Sequence, residues 1–114
     1  MLKYFTMDEF VCSHTGKVEM NVNFLKRLDQ LRERCAFPFV ITSGFRDKTH
    51  PNEVEKDSPG THTMGIAVDV AVSNGYERRR IVEEALKMGF NGVGVAKSFV
   101  HVDDRVSPPV IWSY

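Results

Sequence analysis

The segment at residues 66–72, IAVDVAV, constrains the fold more tightly than any other part of the chain. Ile66, Val68, Val70 and Val72 alternate with Ala67, Asp69 and Ala71, and a period of two becomes two distinct faces only in an extended strand. One face is β-branched and has to be covered by other elements. The other carries a charge between two alanines, which are too small to build a core and leave space above the carboxylate. A chain containing this segment has to form a sheet with one packed face and one open face. Residues 99–103, FVHVD, follow the same rule: Val100 and Val102 belong to the packed face, which sends His101 and Asp103 to the opposite one.

The material to cover the packed face is present. Over residues 21–35 the apolar positions Phe24, Leu25, Leu28, Leu31 and Cys35 recur at intervals of three and four with charges between them, the pattern of an amphipathic helix. Residues 74–88 form a second, with Tyr76, Ile81, Val82, Ala85 and Leu86 expected to face inward and Gly89 as its C-terminal cap. Thr6 and Glu9 have the spacing of a capping box, predicting a helical turn over residues 7–11 anchored by Phe10 and Val11. Pro38 is expected to end the first helix, and residues 39–42 to form a short buried strand stopped at Gly44. Further strands are expected at 92–96, 99–103 and 109–113, the first two joined tightly at Lys97 and Ser98. The expected class is α+β: a mostly antiparallel sheet with helices on one face. Its 114 residues, 42% hydrophobic and including eight Phe, suffice for one domain spanning residues 1–114 with a core that needs no disulfide.

Charge narrows the range of partners. Fifteen Lys and Arg against fifteen Asp and Glu leave no basic surplus for nucleic acid or an anionic membrane. No stretch is long and apolar enough for a membrane span, and residues 1–16 lack the apolar run of a secretory signal, so a soluble, cytoplasmic and monomeric product is expected. Cys12 and Cys35 are too few for a disulfide framework and are expected to be core thiols, with Cys12 and His14 a weak metal candidate.

Residues 45–61 hold two prolines, Gly60 and mixed charges without periodicity, a long connection of the kind that carries function. His62 stands at its end, seven residues before Asp69, with Gly65 between them to turn the chain into the strand. If the 66–72 and 99–103 strands are neighbours, His62, Asp69 and His101 can meet on the open face. Two imidazoles and a carboxylate are a ligand set for zinc that keeps a fourth position for water, as a catalytic site does.

These residues also carry a resemblance. His62, Gly65, Ala67 and Asp69 match an HxxGxAxD signature, His101 and Asp103 an HxD, and Ser43, Gly44, Phe45 and Arg46 an SG[YF]R. In this the chain resembles the zinc D-alanyl-D-alanine carboxypeptidase family, peptidase M15, and in particular its small phage and prophage domains. The likeness runs from about Phe10 to Arg105.

The resemblance implies a D-Ala-D-Ala peptidase/hedgehog-like fold, with the zinc site on the face opposite the helices. It also implies a metallopeptidase that cuts next to D-amino acids in peptidoglycan stem peptides, as a carboxypeptidase or an endolysin-type endopeptidase. His62, Asp69 and His101 would be the zinc ligands, and Arg46 would hold the substrate's carbonyl or carboxylate, a role that competes with a plain loop salt bridge. Such a protein reaches the wall after release through a holin or as part of a virion.

Two positions depart from the family pattern. Gly60 stands where many members have Ser two residues before the first His, and Ser98 where better-known members have a Glu general base. Asp103, on the face of His101, is then either the base or the group that orients an imidazole. The alternative reading is a non-catalytic, zinc-stabilised binding or virion module of the same fold.

Overall fold

The structure is a computed structural model and describes residues 2–114. It is built from a short 3-10 turn (Met7–Phe10), helix α1 (Val22–Cys35), strands β1 (Ile41–Ser43) and β2 (Ala67–Ala71), helix α2 (Gly75–Met88), and strands β3 (Gly92–Val95), β4 (Phe99–Asp103) and β5 (Val110–Ser113). The five strands form one sheet in the order β1-β2-β4-β3-β5. All neighbours are antiparallel except β3 and β5, which run parallel.

Each helix starts and stops on local chemistry. Asn21 caps α1 by accepting a hydrogen bond from the Phe24 N–H at 2.9 Å, and Asn74 caps α2 the same way from Glu77. α1 ends in a left-handed residue, Ala36 at φ 63°, two residues before the proline expected to stop it. α2 ends at Gly89, which is left-handed as the sequence predicts. The 3-10 turn is closed by the expected reciprocal pair, with the Thr6 N–H donating to Glu9 Oε2 at 2.7 Å.

The core lies between the helices and one face of the sheet. Phe24, Leu25, Leu28, Leu31 and Cys35 of α1 are all buried, as are Ile81 and Ala85 of α2, and they meet Val68, Val70, Val93, Val100 and Val102 from the sheet. Several expected core positions are not in it. Val11 is exposed, because the chain leaves the 3-10 turn in an extended conformation and only Phe10 points inward. Tyr76 and Leu86 are exposed on α2, whose contact with the sheet is a stripe of Ile81 and Ala85 with Val82 at its margin. The strand expected over residues 39–42 begins two residues later, at Ile41, and is the edge of the sheet, so Val40 faces solvent while Phe39 packs into the core beforehand. Among the described residues no helix is long and apolar enough to cross a membrane.

One backbone position sets the entry into β2. Gly65 has φ +74°, and a Cβ there would collide with the carbonyl oxygen of Glu19, because the chain before α1 runs against this turn and the Asn21 N–H donates to Gly65 O at 2.9 Å. Gly16 is also left-handed, at φ +75°, but nothing lies within 4 Å of where its Cβ would stand. The pair separates strain from collision. Gly16→Ala is expected to cost about 1–2 kcal/mol, the price of a left-handed alanine alone, and Gly65→Ala several kcal/mol more. Urea denaturation of the two variants checks this, and equal losses would contradict it.

Candidate metal centre

The β2–β4 register places Asp69 directly opposite His101, on the sheet face turned away from the helices. Asp69 Oδ1 lies 3.0 Å from His101 Nδ1. His62 comes from the turn preceding β2, and its Nε2 stands 3.4 Å from the same carboxylate oxygen. All three residues are buried, and one ligand atom from each lies within 4.8 Å of the others. Among the described residues this is the one group of three or more His, Cys, Asp or Glu disposed to hold an ion. Cys12 and His14 do not belong to it. The Cys12 thiol accepts from the Asp47 N–H at 3.3 Å, and His14 lies edge-on to His50 with ring centroids 6.0 Å apart.

The donor set suits a divalent ion because the second nitrogen of each imidazole is already committed. His62 Nδ1 donates to the Gly44 carbonyl at 2.9 Å, which leaves Nε2 as the lone-pair nitrogen facing Asp69. His101 Nε2 lies 2.6 Å from Asp103 Oδ2, which directs Nδ1 inward. Asp103 is completely buried and its carboxylate is saturated. Beyond His101, it accepts from the Arg105 backbone N–H at 3.0 Å and from the Arg105 guanidinium at 2.7 Å and 3.0 Å. The carboxylate–histidine arrangement is the one that fixes ring orientation and raises ligand basicity at metal sites.

Electrostatics follow from this crowding. Burial pushes the Asp69 carboxyl up, but hydrogen bonds and charge from His101 and His62 outweigh it and hold the group far below the usual carboxylate range. For Asp103, burial is outweighed in the same way by His101 and Arg105. Burial pulls His101 down, yet its two carboxylate neighbours raise it above the ordinary histidine value. The two carboxylates thus favour the protonated imidazole, and a metal ion would compete with that proton.

A second layer covers His101. The Trp112 indole of β5 packs on the imidazole with centroids 5.1 Å apart, and the Arg105 guanidinium lies 4.9 Å above the indole. Two glycines of β3 make the room. A Cβ on Gly92 would overlap the Asp103 carboxylate, and one on Gly94 would come 2.7 Å from the indole. Sequence reasoning missed Arg105, Trp112 and this glycine pair. The signal was available, since Gly92 and Gly94 stand at the same period-two positions, opposite Asp103 and His101.

Arg46 reaches the same place from the start of the long loop. Its Nη2 lies 3.5 Å from Asp69 Oδ2 and its Nη1 3.6 Å from Glu53 Oε2, while Nε donates to Ser43 Oγ at 3.1 Å. A cleft of about 460 Å³ opens over the group, lined by Arg46, His62, Asp69, His101, Trp112 and Tyr114 among others. Asp103 does not line it, and Ser98 sits at the β3–β4 turn, its carbonyl bonded to the Val72 N–H. Glu53 was also missed by sequence reasoning. It is buried within the loop, where no periodicity marks it.

Comparison with protein families gives a match to the model described as Peptidase M15 over residues 3–103, which includes every residue of the His-Asp-His group and stops short of Arg105 and Trp112. No curated protein matches the chain.

The geometry sets two expectations for metal binding. One zinc ion per chain is expected, with affinity weakening as pH falls through the raised His101 range, since the ion competes with that imidazole's proton. Competition against a chelating dye at a series of pH values measures this, and a flat affinity would contradict it. Asp103→Asn is expected to weaken zinc by roughly 10–100-fold without abolishing it, and His14→Ala and His50→Ala to leave it unchanged.

Proposed function

The chain belongs to the peptidase M15 family, a family of metal-dependent peptidases, and on that premise we propose that it is a zinc peptidase hydrolysing bonds next to D-amino acids in peptidoglycan stem peptides. The observation that carries the reading is the disposition of His62, Asp69 and His101 at the floor of an open cleft. These three side chains would hold a zinc ion and would leave it a position for water or substrate, and the cleft opens over them. When bound there, zinc supplies Lewis-acid polarisation of the scissile carbonyl and lowers the pKa of water from about 15.7 toward 7.

The remaining work falls to the chain's own side chains. Arg46 points its guanidinium into the cleft with both Nη groups in long contacts only, at 3.5 Å and 3.6 Å, which leaves N–H groups free to stabilise negative charge developing on the substrate carbonyl oxygen. Asp103 acts on His101 and not on water. Its oxygens are filled by His101 and Arg105, and it is sealed from the cleft, so of the two roles open to it from sequence the orienting one fits. Ser98 cannot take a proton from water at neutral pH. Among the described residues lining the cleft, Asp69 is the only carboxylate, and it belongs to the ligand group. The reading is therefore of a slow enzyme with an unassisted proton transfer, acting as a monomer on the cell wall after release by a holin or delivery in a virion.

Mass spectrometry of muropeptides after incubation with zinc-loaded protein tests the function. Release of D-alanine or scission within the stem is expected, and intact muropeptides would favour the non-catalytic binding module, a reading supported by the missing base. Arg46→Ala is expected to lower kcat by about 100-fold or more, on the scale of an oxyanion donor, while the melting temperature moves little. Lost stability with unchanged turnover would return Arg46 to a salt-bridge role. Ser98→Glu is expected to raise turnover by about 100-fold, the low end of general-base catalysis; no gain would show that proton transfer does not limit the native site.

A further inference from the structure

Leu86 fits the helical period of the core yet is 54% exposed, and it does not stand alone. α2 packs over β3 and β4, while β5 lies beyond it at the edge of the sheet. Along this margin runs a groove of about 600 Å³ whose apolar lining is Val82 and Leu86 of α2 and Val95 of β3. The register that pairs buried Val93 with Ile111 puts Ile111 on the same side of the sheet, where it is 56% exposed. The apolar strip therefore reaches the edge strand.

Charge is segregated around the groove. The chain is neutral overall, but Arg78, Arg79 and Lys87 rim the groove with Glu83 as its one acidic residue. Arg78 is held by carbonyls, its Nε donating to Ala96 O at 3.1 Å and its Nη2 to Lys97 O, and it makes no ion pair among the described residues. Arg79 reaches Glu83 only at 4.0 Å, and Glu83 already holds Arg80 at 3.0 Å. Lys87 shares Glu84 with Arg80 and Arg34. Two carboxylates thus serve four cations, and Arg78 adds a fifth positive charge.

We propose that this groove docks an amphipathic helix of a partner protein, one whose apolar side chains enter the groove and whose flanking residues are Asp and Glu. The groove follows α2 from Gly75 to Lys87, about 18 Å at 1.5 Å per residue, which matches about three turns of a partner helix with apolar residues at i, i+3 or i+4, and i+7. The cationic rim sets the sign of the partner's charge. It also opposes a second copy of this chain on the same face, because a two-fold contact would bring two positive rims together. The groove lies on the helix side of the sheet and the metal-binding cleft on the other, so a docked partner holds the domain with its cleft open. The proposal does not rest on the peptidase reading.

The test is fluorescence anisotropy with a labelled peptide of about 18 residues, long enough to hold a helix in water, with Leu at helical spacing and Glu and Ala elsewhere. A second peptide has Lys in place of Glu. The parent is expected to bind the Glu peptide, more weakly as salt rises, and to prefer it over the Lys peptide. Leu86→Ser is expected to raise Kd by at least about tenfold, the value of burying one leucine. The double variant Arg79→Glu, Lys87→Glu should turn the preference toward the Lys peptide. All three positions are exposed, and circular dichroism and zinc affinity matching the parent check that the variants fold. No binding of the Glu peptide, equal binding of the two peptides, or a Kd unmoved by Leu86→Ser would overturn the proposal. Two further results would overturn it by naming another occupant. Phosphatidylglycerol vesicles that sediment the parent but not Leu86→Ser, with no peptide binding, would assign the groove to a membrane surface. A dimer on analytical ultracentrifugation that Leu86→Ser abolishes would assign it to a second copy.

Discussion

Everything in the site depends on the antiparallel register that sets Asp69 opposite His101. The register is fixed from the other face of the sheet. Val68 and Val70 of β2 pair with Val102 and Val100 of β4, and all four are completely buried against the helices. Sliding β4 by one residue would send these valines to the open face and bring His101 and Asp103 into the core, exchanging apolar burial for buried charge. The hydrophobic effect on one side of the sheet thus holds polar groups in place on the other. That suits a site that gathers two carboxylates and two imidazoles in a buried place, where desolvation opposes their assembly unless a scaffold holds them.

The second constraint is the crowding around His101. Its two ring nitrogens are gripped by Asp69 and Asp103, and His62 and Trp112 pack against the ring with centroids 5.1 Å away in each case. Asp103 is in turn gripped by Arg105, and Arg105 rests on Trp112, so the contacts form a closed ring. A ligand held this way has little freedom to lose when an ion arrives. The arrangement also commits the Asp103 carboxylate to His101 and Arg105, away from the cleft.

Much of this was legible in the sequence. Strict alternation over residues 66–72 and 99–103 assigns Asp69 and His101 to one face, and helical periodicity assigns the layer behind them. The misreadings share a cause. Tyr76 and Leu86 fit the helical period but fall outside the narrow stripe by which α2 meets the sheet, and Val40 fits a buried strand but lies on an edge strand. Periodicity tells which residues share a face and says nothing of how wide the covered area is. Glu53 and Trp112 were not legible because their placement depends on loop path and on the parallel return of β5, both tertiary outcomes. Gly92 and Gly94 were legible in principle, as absent side chains beneath larger ones.

His62, Asp69 and His101 are the residues that would hold an ion in this protein. X-ray absorption spectroscopy of the zinc-loaded protein tests this most directly. The predicted first shell holds only nitrogen and oxygen at about 2.0–2.2 Å, with outer-shell scattering from two imidazoles. A sulfur scatterer at about 2.3 Å, which would place the ion at Cys12, or imidazole scattering that survives in a His62→Ala, His101→Ala double variant, would contradict it.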